Sequence, residues 1–173
     1  MRKINIEKSI IYTKMKKMKI FQYFSDQEIE KIASLSNILQ YDKNEQIIEQ
    51  NSIHPYFYAV LDGTVSVSIN NNGISVYQSE ILEGDVFGET GIFSNQPKTA
   101  DIFAKSNAIV LQIERKNFIS FIKENQTGGI KLLIFIIQSL INKLKGTNRE
   151  AIVERDSDMK HEEIQYINEL FKN

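Results

Sequence analysis

The sequence predicts a mainly β fold, an antiparallel jelly-roll β-barrel flanked by helices at both ends of the chain. Seven short β-like runs, separated by Gly, Asn and Asp, fill residues 38–113. Many short strands at regular spacing are typical of a sandwich or barrel. Apolar residues at helical spacing precede and follow this region. A chain of 173 residues, 42% hydrophobic and 25% charged, has the size of one main domain with extensions.

We expect four segments along the chain. Residues 1–36 are predicted to form an N-terminal helical segment and residues 37–113 the barrel. Residues 114–146 are predicted to form C-terminal helices, and residues 147–173 an acidic helical tail.

The N-terminal segment carries a local helix-start signal. Ser25 is followed three residues later by Glu28, the spacing of a capping box in which each side chain bonds the other residue's backbone N–H. The pattern predicts a short helix that ends near Ser34. Its expected inner face consists of Ile29, Ile32 and Ala33.

The barrel segment contains strand and turn signals. In residues 64–69 three apolar residues alternate with two serines, a period of two that predicts a half-buried strand. Residues 61–64 and 70–73 contain the Asp, Asn and Gly residues that tolerate positive φ and close hairpins. The expected strands are 37–41, 46–50, 56–61, 64–69, 74–80, 99–104 and 108–113.

The segment after the barrel is predicted to contain two helices. A short one presents apolar residues at 118–122, and Gly128-Gly129 is expected to break the chain before a longer one. The longer helix has two apolar stripes: Ile130, Ile134, Ile137, Ile141 and Leu144, and then Leu133, Ile136 and Leu140. One stripe is expected to cover the barrel and the other to meet a partner or a second copy of the chain, or both are simply core and dimer seam.

Composition and motifs exclude several classes of function. A net charge of −1 and a pI near 6.2 lack the basic footprint of a nucleic-acid binder. There is no cysteine, and the two histidines, His54 and His161, form no metal-ligand pair. We therefore expect no metal site and no enzyme, with His54 in a surface loop beside Pro55.

Location and span are also predicted. The N-terminus has lysines throughout and no apolar signal region, which favours the cytoplasm. The most apolar stretch, Leu132 to Ile137, is far shorter than the ~20 residues that span a bilayer, so we expect a buried helix and no membrane span.

Residues 83–101 contain the chemically informative motif. They read Gly-Asp-Val-Phe-Gly-Glu at 84–89 and Pro-Lys-Thr-Ala at 97–100. A short helix starting near Glu89 offers backbone N–H groups and a positive dipole end to an anion. Glycines at 88 and 91 allow a ligand close to the backbone. Taken singly, Glu89 is as readily a helix cap and Lys98 an exposed loop lysine.

The motif resembles the phosphate-binding cassette of the cyclic-nucleotide-binding domain family, found in catabolite-activator-type regulators and cyclic-nucleotide-dependent kinases. The family pattern is roughly GD-x-FGE, a short helix, then a proline, an arginine and small residues. Segments 62–65, 20–25 and 113–118 agree with the family in the same order, so the resemblance covers about residues 15 to 145.

The resemblance implies a cAMP or cGMP ligand held by cassette 84–101. Glu89 would hold the ribose 2′-OH, and Lys98 stands where the family has the phosphate-binding arginine. The N–H groups of Thr99 and Ala100 would complete the cradle, and a threonine at 99 favours cGMP weakly. The other expected contacts are Phe87, Gly88 and Thr90, with Ile136, Ile137 or Leu140 capping the base.

The resulting hypothesis is a stand-alone sensor whose C-terminal helix closes over the base and signals to an unknown protein partner. A homodimer through residues 130–144 is expected. Only 28 residues, 146–173, follow that helix, too few for a winged helix-turn-helix, so direct DNA binding is not expected. The alternative is a degenerate member that binds no ligand and acts as a protein-interaction scaffold.

Overall fold

The computed structural model describes residues 2–3, 8–71 and 73–149. Its helices are α1 (Lys8–Lys17), α2 (Asp26–Ser34), α3 (Thr90–Phe93), α4 (Arg115–Glu124) and α5 (Gln126–Arg149), with a 3-10 turn at Lys19–Phe21. Its strands are β1 (Arg2–Lys3), β2 (Ser36–Tyr41), β3 (Gln46–Ile48), β4 (Tyr56–Asp62), β5 (Val65–Asn71), β6 (Ile74–Ile81), β7 (Val86–Phe87), β8 (Asp101–Ala104) and β9 (Ala108–Glu114).

The strands form two sheets in which the neighbours pair antiparallel. One sheet has the order β1-β2-β9-β4-β7 and the other β3-β8-β5-β6. Each of the seven predicted runs overlaps one of these strands. The architecture confirms the expected antiparallel jelly-roll with flanking helices.

Side chains from both sheets meet in one hydrophobic core. Val60 of β4 and Val110 of β9 are directly opposite each other in the first sheet, and both are fully buried. Val65 of β5 and Ala104 of β8 are paired in the second sheet and are equally inaccessible. The cassette connects β7 of one sheet to β8 of the other, so its ends are held by both.

The N-terminal helices follow the sequence prediction, except at the start. The hydroxyl of Ser25 accepts from the Glu28 N–H at 3.3 Å, and the Glu28 carboxylate accepts from the Ser25 N–H at 2.7 Å. The capping box is therefore confirmed. Residues 2–3, which were expected in a helical segment, instead form β1 against β2; a two-residue strand has no detectable period in the sequence.

The predicted chain break at Gly128-Gly129 is wrong. Helix α4 ends at Glu124, its C-cap residue Asn125 adopts φ −131° and ψ 73°, and α5 continues through both glycines. The glycines are explained by packing. A Cβ atom at Gly128 would lie 2.8 Å from Oε1 of Glu28, and one at Gly129 would lie 2.9 Å from Cα of Ile122. Their lack of a side chain lets α5 approach α2 and α4.

Helix α5 is less buried than expected. Leu132 and Ile136 are buried, whereas most of the first apolar stripe, Ile130, Ile137, Ile141 and Leu144, is exposed. By length and composition alone, the helix from Gln126 to Leu144 is long and apolar enough to cross a membrane. Core helices of soluble proteins can be equally long and apolar, so the absence of a membrane span stays a prediction.

Residue contacts divide the chain into two compact units, residues 1–137 and 138–173. The first contains both sheets and the cassette. Within the second, the structure describes the C-terminal half of α5 up to Arg149. The predicted acidic tail therefore lies almost entirely outside the described residues.

Candidate functional site

The cassette begins with a tight approach of its backbone to strand β4. Gly88 has φ +80°, and a Cβ atom there would lie 2.7 Å from the carbonyl oxygen of Tyr56 and 3.1 Å from the ring of Tyr58. Any other residue would be strained and would clash. This glycine fixes where the chain turns from β7 into α3.

Glu89 and Lys98 are the two charged side chains that the structure buries here, each with 6% of its surface exposed. Glu89 occupies the N-cap position of α3, yet its side chain makes no capping hydrogen bond. The capping interpretation of Glu89 and the exposed-loop interpretation of Lys98 are therefore both excluded. Burial and the charge of Arg115 lower the pKa of Lys98, and the attraction between Lys98 and Glu89 partly offsets this effect.

The ammonium group of Lys98 is buried and unsatisfied. Among the residues that the structure describes, its Nζ atom has no hydrogen-bond partner. Burial lowers the pKa of Lys98 below its usual value, the charge of Arg115 lowers it further, and Glu89 raises it in part. An unpaired buried polar group costs about 1–3 kcal/mol, more when it is charged. An anion at this position would remove that cost.

The backbone of Lys98 is fixed by the loop between β3 and β4. The Asn51 N–H donates to the Lys98 carbonyl at 2.8 Å, and the Lys98 N–H donates to the Ser52 carbonyl at 2.9 Å. Asn51 itself has φ +65°, the left-handed conformation that asparagine tolerates. The loop, which lies outside the cassette, thus fixes the backbone of Lys98.

Gly91 forms the surface toward which Lys98 points. A Cβ atom at Gly91 would lie 2.4 Å from Nζ of Lys98 and 2.3 Å from the carbonyl oxygen of His54. The first contact involves the end of a flexible side chain, but the second involves backbone. Glycine at position 91 therefore lets the ammonium group and the His54 loop approach the first turn of α3.

Arg115, the first residue of α4, holds the other end of the cassette helix. Its guanidinium donates to the Gly91 carbonyl from Nε at 2.9 Å and from Nη2 at 2.5 Å, and to the Ser94 carbonyl at 2.5 Å. It also bonds Oδ1 of Asn95. The backbone N–H of Arg115 donates to the Pro55 carbonyl at 2.8 Å. One residue joins α4, the cassette and the β3–β4 loop.

The remaining predicted cassette residues differ in their environment. Phe87 is buried in the hydrophobic core and stacks on Tyr58 with ring centroids 4.7 Å apart, so any contact of Phe87 with a ligand would come from its backbone. Thr90 and Thr99 are exposed, and Ala100 is half-buried. The two threonines are open to a ligand or to solvent.

The three candidate capping residues on α5 are not equivalent. Ile136 is 1% exposed, whereas its neighbour Ile137 is 55% exposed. Leu140 is half-buried and belongs to the second compact unit. Ile136 therefore packs as a core residue in this conformation, and Ile137 is free to meet something else.

Two site residues were missed by sequence reasoning. Arg115 was noticed only as part of segment 113–118, and its contacts reach 20 to 24 residues back along the chain. His54 lies in a loop and is partly exposed, as expected, but its Nδ1 atom is buried and has no partner among the described residues. The only signal for His54 in the sequence was its position beside Pro55, just before the predicted strand 56–61.

No metal centre is assembled in the part of the chain that the structure describes. No group of three or more His, Asp or Glu side chains there could hold an ion. Separately, the arrangement offers an anion the buried ammonium group of Lys98, with a buried carboxylate, Glu89, in the same cassette.

Comparison with known proteins agrees with this geometry. A family model described as "Cyclic nucleotide-binding domain" matches residues 38–125, which include both sheets apart from strand β1 and the start of β2. A solved cyclic nucleotide-binding domain from Methylobacillus flagellatus KT has a TM-score of 0.72 and 20% identity, covering 83% of this chain and 81% of that one.

Two further matches cover only part of a longer chain. The regulatory domain of protein kinase A from Toxoplasma gondii, solved with cAMP, has a TM-score of 0.63 and 21% identity, over 76% of this chain and 49% of that one. The Arabidopsis thaliana potassium channel AKT1 is 24% identical over 144 residues, which are 83% of this chain and 16% of the channel. This chain thus spans about half of the first relative and less than a fifth of the second.

Proposed function

Because the chain belongs to the cyclic nucleotide-binding domain family, we propose that it is a regulatory module that binds cAMP or cGMP at cassette 84–101. The ligand's cyclic phosphate would pair with Lys98, and its ribose with Glu89. Signalling would proceed by movement of the C-terminal helices. The family is a regulatory one, and we propose no catalytic activity for this chain.

The observation that carries the proposal is the buried, unpartnered ammonium group of Lys98. The backbone of Lys98 is held by hydrogen bonds with Asn51 and Ser52, so the residue starts from a fixed point beside the cassette helix. A cyclic phosphate oxygen beside Nζ would form a charge-assisted hydrogen bond in a site shielded from water. The free-energy cost of burying the ammonium group is thus already part of the folded state before the ligand binds.

Glu89 supplies the second contact. A carboxylate can accept hydrogen bonds from two hydroxyl groups, and burial makes each of them stronger than it would be in water. A cyclic nucleotide carries its ribose 2′-OH next to the cyclic phosphate. The neighbouring positions of Glu89 and Lys98 therefore suit a ligand with a hydroxyl group and an anion close together.

Arg115 offers a route from the cassette to the C-terminal helices. Its guanidinium is bonded to the carbonyl oxygens of Gly91 and Ser94, and its own residue begins α4. The ring of Phe93, at the end of α3, packs edge-on against Phe118 of α4 at 6.1 Å. A shift of α3 on ligand binding would thus be transmitted to α4 by both polar and aromatic contacts.

The choice of base, the partner and the location remain parts of the proposal. Exposed Thr99 could reach a guanine amine, which favours cGMP weakly over cAMP. The exposed stripe on α5 would meet a second copy of the chain, and the signal would pass to a protein partner in the cytoplasm. No direct DNA contact is proposed.

Calorimetric titration of the protein with cAMP and with cGMP tests the proposal. We expect one site per chain and a dissociation constant in the micromolar range. Glu89→Gln should weaken binding, because a neutral amide is a poorer acceptor for the ribose hydroxyl. Glu83→Gln, which removes an exposed carboxylate on the turn before the cassette, is the matched control and should leave affinity unchanged.

The outcome also decides the alternative. If neither nucleotide produces heat at millimolar concentration and neither raises the melting temperature, the ligand-free interaction scaffold replaces the sensor. If Glu83→Gln weakens binding as much as Glu89→Gln does, the nucleotide binds elsewhere and the assignment of the cassette is wrong.

A further inference from the structure

The site holds a second unsatisfied nitrogen besides that of Lys98. Within the described residues, two buried side-chain nitrogens have no hydrogen-bond partner, Nζ of Lys98 and Nδ1 of His54. Buried polar atoms in folded proteins nearly always have partners. Two such atoms in neighbouring segments suit one ligand with several acceptor atoms.

His54 and Lys98 converge on the same part of the cassette. The loop that carries His54 is tied to Lys98 by the hydrogen bonds from Asn51 and to Ser52. The carbonyl of His54 and the ammonium of Lys98 both lie within 2.4 Å of the position that a Cβ atom on Gly91 would occupy. The backbone of His54 therefore lies beside the residue that Lys98 approaches, and its imidazole is near enough to Lys98 to be affected by that charge.

Glu89 is one buried carboxylate, and a cyclic phosphodiester would bring a second negative charge. Lys98 and Arg115 supply positive charge, since the charge of Arg115 acts on Lys98. The guanidinium of Arg115, however, donates to the carbonyl oxygens of Gly91 and Ser94 and to the side-chain amide oxygen of Asn95. Because burial of an uncompensated charge is costly, a second cation facing the ligand would be stabilised.

Resting on the proposed function, we propose that His54 is a second cationic contact for the ligand's phosphate and takes up a proton when the ligand binds. The proton comes from water or buffer and stays on the imidazole. The phosphodiester remains ionised, and no bond in the ligand forms or breaks.

The surroundings of His54 suit such a change. In the free protein, burial lowers the pKa of His54 and the charge of Lys98 lowers it further, while Glu49 raises it. The ring of Tyr56 packs edge-on against the imidazole, with centroids 6.0 Å apart. The free imidazole is therefore neutral at pH 7. A phosphate placed beside it offsets the charge of Lys98 and raises its pKa.

Calorimetry in two buffers of different ionisation enthalpy tests the proposal. Near pH 7 the wild-type protein should take up a fraction of a proton with each cGMP or cAMP bound. Affinity should rise as the pH falls from 8 to 6, by at most about tenfold per pH unit for a single proton. His54→Gln should bind more weakly at pH 6, take up no proton and lose the pH dependence.

His161→Gln is the matched control, because it removes the other imidazole. It should keep the proton uptake. It also leaves one histidine for NMR, so that the pKa of His54 can be measured with and without nucleotide and should rise on binding. This measurement does not depend on the folding of the His54 variant.

The outcomes separate the two proposals. Nucleotide binding by wild type without proton uptake, or with uptake that survives in His54→Gln, overturns the role of His54 and leaves the sensor intact. An unchanged His54 pKa in the nucleotide complex does the same. Absence of nucleotide binding by the wild-type protein overturns both.

Discussion

The guanidinium of Arg115 and the carbonyl of Gly91 are joined by two hydrogen bonds, from Nε at 2.9 Å and from Nη2 at 2.5 Å. The two residues are 24 positions apart, and the bonds fasten the start of α4 to the cassette helix. We expect Arg115→Ala to lower the free energy of unfolding by about 1–3 kcal/mol and to weaken nucleotide binding. Urea denaturation and calorimetry measure the two effects.

Lys116→Ala is the control for Arg115→Ala. The Lys116 side chain is 72% exposed and pairs with Glu114 at the surface, so its loss should change neither stability nor affinity measurably. If Arg115→Ala behaves like Lys116→Ala, the hydrogen bonds between Arg115 and the cassette have no energetic role, and the proposed route to α4 fails.

Gly91→Ala tests the close approach at the centre of the site. Alanine is the better helix former by about 1 kcal/mol, but its Cβ would meet the His54 carbonyl at 2.3 Å. We expect a net loss of stability of about 1–3 kcal/mol, typical of overpacking, and weaker nucleotide binding because the loop or Lys98 must move. Thermal denaturation and calorimetry report both.

Gly84→Ala provides the comparison. Gly84 has φ +94° and open space around its missing side chain, so the substitution should cost stability through backbone strain alone. Its nucleotide affinity should stay at the wild-type level. Equal losses of affinity in the two variants would show that general destabilisation, and not the contact at Gly91, controls binding.

Local signals in the sequence predicted the elements that depend on neighbours along the chain. The capping box of Ser25 and Glu28 needs only a four-residue segment, and period-two runs identify strands such as β5 wherever they pack. The cassette motif likewise placed Glu89 and Lys98 in one segment. These predictions required no knowledge of tertiary contacts.

The failures all involve contacts between distant segments. A glycine that breaks a helix and a glycine that admits a neighbouring helix look the same in a sequence, so Gly128 was misinterpreted. The sequence around Lys98 fits either a ligand contact or an exposed loop lysine, because the burial of this side chain is a property of the tertiary structure. Arg115 acts on atoms more than 20 residues away, and no local pattern contains that information.

The stability of the ligand-free protein should depend on His54. Its pKa in the folded protein is lowered, first by burial, while in the unfolded chain it is about 6.5. The unfolded chain therefore binds the proton more readily, and stability falls as the pH drops through 6.5 toward the folded pKa. Urea denaturation at pH 7.5 and 5.5 should show a smaller decrease for His54→Gln than for the wild-type protein.

A decrease of the same size in both proteins would contradict this prediction. His161→Gln, measured in parallel, should retain the wild-type dependence on pH.

The exposed stripe on α5 should form a homodimer interface. Ile137, Ile141 and Leu144 are 55%, 43% and 66% exposed, and their spacing is that of a helical seam. Light scattering should give a dimer for the wild-type protein at micromolar concentration and a monomer for Ile141→Glu. Asn142→Glu adds the same charge beside the stripe and should remain dimeric. A monomeric wild-type protein at high micromolar concentration would show that the stripe forms no dimer interface.

Substitutions of Lys98 test the site most directly. Lysine presents a point charge to phosphate, whereas arginine presents two parallel donors. Lys98→Arg should therefore tighten cyclic nucleotide binding by about five- to thirtyfold. Lys98→Met keeps most of the side-chain volume but removes the charge, and should weaken binding by about 10- to 100-fold.

Lys116→Met is the control for the loss of positive charge, since Lys116 is exposed on α4. It should bind like the wild-type protein in calorimetry at the same ionic strength. Binding that survives in Lys98→Met would place the phosphate elsewhere. If the wild-type protein binds no nucleotide and Lys98→Arg does not create binding, the pocket is closed to nucleotides, and the buried lysine serves only its electrostatic interaction with Glu89.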